Sequence, residues 1–165
     1  MEGNAISDFF IRASDFIDGL NPVLQILGLL IAGMIPFIEG YGASFIGIIV
    51  GLHPFVVVPV AIIGNLAIVY ALTMLAGSTR SAVMKGKEPV KRTEKQQKLA
   101  KWTDRLGVPG ACLVSTLAVP SMLAGPLFVG LGARKVTVMI WMTVGVVLWA
   151  IATGLLGEGL LTLLG

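Results

Sequence analysis

One carboxylate stands alone in a long apolar run. From Pro22 to Thr79, 58 residues carry a single formal charge, Glu39. On insertion scales a charge inside such a run costs about 2.5–3.5 kcal/mol, so it normally marks an ion, proton or substrate path. Desolvation favours the protonated form, and Glu39 is expected to load and release a proton near neutral pH. Pro36, Gly40 and Gly42 flank it, with Tyr41 between the glycines. They are expected to open the backbone and present amide groups to an anionic headgroup. The alternative is a hydrated Glu39 on a loop tip at the membrane surface.

Other polar groups are sparse. His53, fourteen residues after Glu39 and just before Pro54, is either a proton relay to Glu39 or a plain interfacial histidine. Asn65 and Tyr70 lie inside the next apolar segment; they form helix-packing hydrogen bonds or line a pathway. Ser115, Thr116 and Ser121 bracket Pro120. Such hydroxyls either re-satisfy backbone freed by the proline or face Glu39 across a shared cavity. Arg134 and Lys135 read as topology anchors, with a phosphate headgroup as a second use. A single histidine and a single cysteine, Cys112, leave no ligand set for a metal and no internal disulfide. No GxSxG, HExxH or P-loop motif occurs, so neither an enzyme nor a cofactor is expected.

The elements that carry these groups follow from the charge distribution. Apolar residues make up 56% of the 165 and charged residues 13%, against about 25% charged in soluble domains. Uncharged runs of 28 residues (106–133) and 22 residues (136–157) follow the first, and 18 or more such residues mark a membrane span. Residues 4–20 place Ile6, Phe9, Phe10, Phe16, Ile17 and Leu20 on one face and Asp8, Arg12, Asp15 and Asp18 on the other. This is the pattern of an interfacial amphipathic helix, capped by Asn4 and ended by Gly19, Asn21 and Pro22. No basic stretch precedes an apolar core, so no cleaved signal peptide is expected.

Segment 22–54 is too rich in Gly and Pro for one straight helix, and two half-helices meeting near 36–42 fit it better. Segment 55–77 is a cleaner span, interrupted by Pro59 and Gly64-Asn65. Nine of the twelve Lys and Arg lie in 80–105, a basic loop that the positive-inside rule assigns to the cytoplasm. Anionic lipid headgroups are its candidate partners; nucleic acid is not expected. Within this loop 91–104 forms a polar helix. Segment 106–133 repeats the broken pattern, and 136–156 is the second clean span. Arg134-Lys135 stay cytoplasmic if 106–133 dips in and returns.

The predicted fold is therefore an all-α integral membrane protein of one domain. It holds two inverted repeats, each a re-entrant broken hairpin followed by a transmembrane helix, behind the interfacial helix. Val50-Gly51-Leu52 and Val129-Gly130-Leu131 match at an offset of 79. Inverted repeats with interrupted segments characterise secondary transporters.

The run Pro36-Phe37-Ile38-Glu39-Gly40-Tyr41-Gly42-Ala43, then Leu117-Ala118-Val119-Pro120, Ala124-Gly125-Pro126 and Trp149, resembles the small multidrug export family, a relative of the DedA (VTT-domain) membrane proteins. The resemblance covers about residues 20–160. It implies a bacterial inner-membrane protein moving lipids, lipid phosphates or small molecules, with proton coupling through the acidic residue that maps onto Glu39. DedA proteins place arginines around the second proline turn; here Ser115, Thr116 and Ser121 stand there, and the phosphate-gripping role does not carry over. The expected function is a proton-coupled carrier or lipid flippase. The alternative is a non-transporting subunit of a larger membrane complex, with a homodimer as a further possible assembly.

Overall fold

A computed structural model describes residues 5–83 and 94–164, and all the regular structure among them is helical. The N-cap Asn4 and the loop residues 84–93 lie outside the described residues. The chain forms α1 (Ala5–Asp18), α2 (Pro22–Met34), α3 (Glu39–Ile49), α4 (Pro54–Val83), α5 (Glu94–Ala118), α6 (Ser121–Leu131) and α7 (Lys135–Leu164). Two helices are long and apolar enough to cross a membrane, over Pro54–Ala76 and Lys135–Leu163.

Local chemistry fixes the boundaries. Asn21 does more than end α1: its side-chain oxygen accepts the Leu24 N–H at 3.1 Å, capping α2, with Pro22 at the first helical position. Gln25 donates to the Asp18 carbonyl at 3.3 Å and ties α2 back to α1. α5 bends at Gly107 (φ 68°, ψ 173°), so the polar helix starting at Glu94 and the first arm of the second hairpin are one interrupted element. Both second arms end alike. Gly51 (φ 88°) and Gly132 (φ 113°) are left-handed, and the next residue donates back to the carbonyl five positions earlier (Leu52 to Gly47, Ala133 to Phe128, both 3.0 Å). This is the Schellman stop, which needs a residue without a Cβ penalty.

The chain divides into two compact units, one of 1–65 with 147–165 and the other of 66–146. In the first unit α2 packs on α3, and the core holds Leu29, Ile38, Ile46, Ile48, Val57 and Ala61. α2 and α4 touch through glycines. A Cβ on Gly33 would lie 2.7 Å from the Ala61 carbonyl oxygen, and one on Gly64 would overlap that of Leu30. Only small residues let helix backbones approach this closely. In the second unit α5 packs on α6 around Cys112, Met122, Phe128, Val138 and Met142, with half-buried Trp102 against the same cluster.

Three expectations change. Pro59 and Gly64-Asn65 do not interrupt α4, which runs unbroken for 30 residues. The last helix also has 30 residues and continues through Glu158 to Leu164 rather than ending near 156. Finally, the helix boundaries do not follow the 79-residue offset of the identical triplets: α3 and α6 start 82 residues apart, and α4 and α7 start 81 apart. Pro54 and Lys135 are 81 apart, as are Val83 and Leu164, and Gly51 and Gly132. Buried positions on the two long helices follow the 81-residue spacing: Val57, Ala61, Gly64, Asn65, Val69 and Thr73 on α4; Val138, Met142, Gly145, Val146, Ala150 and Gly154 on α7.

Candidate functional site

The break between α2 and α3 spans residues 35–38. Ile35 N–H donates to the Ala32 carbonyl at 3.0 Å, Pro36 stops the helix, and the backbone then turns through Phe37 (φ 73°) and Glu39 (φ 52°). These two are the only non-glycine residues at positive φ among the described residues. Such a conformation costs about 1–3 kcal/mol per residue. It is closed by Glu39 N–H to the Ile35 carbonyl at 3.0 Å and Gly42 N–H to the Ile38 carbonyl at 2.8 Å. Phe37 is 70% exposed, whereas Glu39 is 1% exposed. Glu39 is thus a buried residue at the head of α3 and not an exposed loop tip.

The backbone next to it is held by α4 and α7. A Cβ on Gly40 would lie 3.4 Å from the Asn65 amide nitrogen and from the Ala61 carbonyl oxygen, so the start of α3 is pressed against α4. Asn65 is 1% exposed. Thr153 on α7 donates to the Tyr41 carbonyl at 2.8 Å, and Tyr41 donates to the Phe37 carbonyl at 3.4 Å. Pro36, Glu39, Gly40, Tyr41 and Asn65 therefore gather in one place. The glycines work differently from the expectation: Gly40 and Gly42 lie inside α3, and Gly40 provides close packing rather than an open backbone.

His53 stands apart from this cluster. It precedes α4, twelve residues before Asn65, or about 18 Å of helix. It is exposed, its Nδ1 accepts the Phe55 N–H at 3.4 Å, and its ring stacks on Phe55 with centroids 5.5 Å apart. These contacts make it a cap.

The second turn, 119–120, is built without strain. Pro120 is extended (φ −47°, ψ 126°) and its carbonyl accepts Leu123 N–H at 2.8 Å and Ala124 N–H at 3.0 Å. Ser115 donates to the Cys112 carbonyl at 2.9 Å and Thr116 to that of Leu113 at 2.8 Å. Both hydroxyls bond carbonyls of their own helix, and neither carbonyl is the one that Pro120 leaves without a donor. Ser121 is fully buried at the start of α6. Glu39 belongs to the first unit; Ser115, Thr116, Pro120 and Ser121 belong to the second. Tyr70 is hydrogen-bonded to Thr143, joining α4 to α7.

Arg134 and Lys135 open α7 and line an exposed depression with Val136 and Thr137. Cations at a helix N-terminus oppose the macrodipole, so helix stability is not what places them there. Among the described residues no three His, Cys, Asp or Glu side chains come together as a metal site.

Sequence reasoning missed Thr153, Thr73, Ser44 and Glu158. The Ser44 and Thr73 hydroxyls are buried without a hydrogen-bond partner among the described residues. A Cβ on Gly125 would overlap Thr73 Oγ1, so that oxygen lies against the glycine Cα, the geometry of a weak C–H···O contact. The available signal was a polar residue in an apolar span, which marks Thr73 on α4 and Thr153 and Glu158 on α7 as it marks Asn65 and Tyr70. In comparisons with known proteins, no family model, no curated protein and no solved structure matches the chain.

Proposed function

We propose that this chain is a small proton-coupled carrier of an inner membrane of bacterial type, moving a lipid phosphate or a small amphiphile, with Glu39 as the group that exchanges the proton. The observation that supports it is the burial of Glu39, 1% exposed, at a left-handed backbone position in the break of an apolar hairpin. Carboxylates in such surroundings mark transport paths.

In this reading the two halves are inverted repeats. The arms α2, α3 and α6, of 13, 11 and 11 residues, are about 16–20 Å long, too short for a hydrocarbon core of about 30 Å. They dip in and return, while α4 and α7 cross. The basic residues of 80–105 and Arg134-Lys135 then face the cytoplasm together. The resemblance to the small multidrug export and DedA proteins points to the same class of cargo.

The test is reconstitution into liposomes that contain fluorescent phosphatidylglycerol, with a pH gradient imposed and lipid exposure followed by dithionite quenching. The wild type is expected to accelerate exposure in a gradient-dependent way, and Glu39→Gln to abolish that dependence while melting like the wild type. Full gradient dependence in Glu39→Gln would remove the carboxylate from the mechanism. A wild type without flux that co-purifies with a fixed partner would favour the non-transporting subunit.

A further inference from the structure

A second acidic residue has a setting of its own. Glu158 lies on α7 within the apolar stretch Lys135–Leu163 and is half-buried. Beside it a groove of about 350 Å³ runs between the first turns of α4 and the last third of α7, all within the first unit. Its walls are almost wholly apolar, formed by Phe55, Val58, Pro59, Ile151 and Leu155, and Glu158 is the one charged residue that lines it. Gly154 sets the helix spacing, since a Cβ there would lie 3.0 Å from Val58 Cγ2.

Three features select an occupant. The volume falls in the range of small-molecule sites, about 300–1,000 Å³. A carboxylate on an apolar helix gains from a positive partner, and the basic residues that open α7 are 23 residues away, about 35 Å along the helix. The third feature is Phe55, 85% exposed, with its ring held by the His53 stack. Its ring and the flanking aliphatic walls suit an apolar body.

We infer that this groove binds a lipophilic organic cation, with its positive centre beside Glu158 and its apolar body against Phe55, Val58 and Ile151. The site is distinct from the Glu39 turn and does not depend on proton coupling.

Equilibrium dialysis of the full chain in detergent, against empty micelles, tests it with two ions of one shape and opposite charge. Tetraphenylphosphonium is expected to bind saturably, and tetraphenylborate about tenfold more weakly or not at all. Glu158→Gln should weaken tetraphenylphosphonium binding about tenfold, and Phe55→Ala should weaken it less. Phe55 is exposed, so its variant keeps the test valid if Glu158→Gln melts early. Equal binding of the two ions, or unchanged tetraphenylphosphonium binding in both groove variants, would overturn the inference. A failure here leaves the Glu39 flux experiment untouched.

Discussion

The two turns of the molecule are built by different means. Each is followed by an 11-residue helix, a left-handed glycine stop and a 30-residue helix. Glu39 is the first residue of α3, and Pro120 is the cap before α6. The second turn needs two residues and an extended proline. The first uses four residues and carries Phe37 and Glu39 at positive φ. Proline achieves the turn without strain, so the topology does not require the strained version. Strain that persists where an unstrained solution exists in the same molecule points to function, and it coincides with the one buried carboxylate of the first unit's hairpin.

The hairpins also dock differently, and this gives the largest expected effects. The first hairpin meets α4 backbone to backbone at Gly64 and the Leu30 carbonyl; the second meets it through Gly125 and a side chain, Thr73. Backbone cannot move aside, so Gly64→Ala should destabilise by about 3 kcal/mol, at the upper end for overpacking, read as an early thermal transition in detergent. Gly125→Ala should cost about 1–2 kcal/mol, and Thr73→Ala in the same chain should recover most of it, because the clash is with the hydroxyl. A Gly64→Ala protein that melts like the wild type would contradict the close crossing. Additive losses in the Thr73/Gly125 pair would show that the two residues are not in contact.

Sequence reasoning reached the first turn because Pro36 and a lone charge are visible in composition. It did not reach the turn's shape. Neither Phe nor Glu prefers a left-handed backbone, so nothing in their identities announces φ 73° and φ 52°. Glycines were the misleading signal. Gly40, Gly42 and Gly64 read as backbone breakers, yet all three are helical, and the close approach of the Leu30 carbonyl explains Gly64. A missing Cβ serves conformation in one place and packing in another, and only the neighbour across the interface distinguishes them. The extent of α7 was misjudged for a related reason: a charge at 158 ends an apolar run, but it does not end a helix, whose backbone bonds continue beneath any side chain. Residue type does not announce burial either: Asn65 and Val146, 81 residues apart, are both buried although one is polar and the other apolar.

The smallest effect isolates the strain itself. Phe37 is 70% exposed and at φ 73°, so replacing it removes little packing within the first unit. Glycine enters the left-handed region freely but loses more entropy on folding, whereas alanine retains the steric cost of about 1–2 kcal/mol. Phe37→Gly should therefore be more stable than Phe37→Ala by about 0.5–1 kcal/mol, seen as a higher melting temperature in the same detergent. At Val119, in the second turn and without a positive φ, the order should reverse, with alanine the more stable. If glycine and alanine rank alike at both positions, the first turn stores no strain. Glu39 would then keep its burial as an argument for function but lose the conformational difference from Pro120.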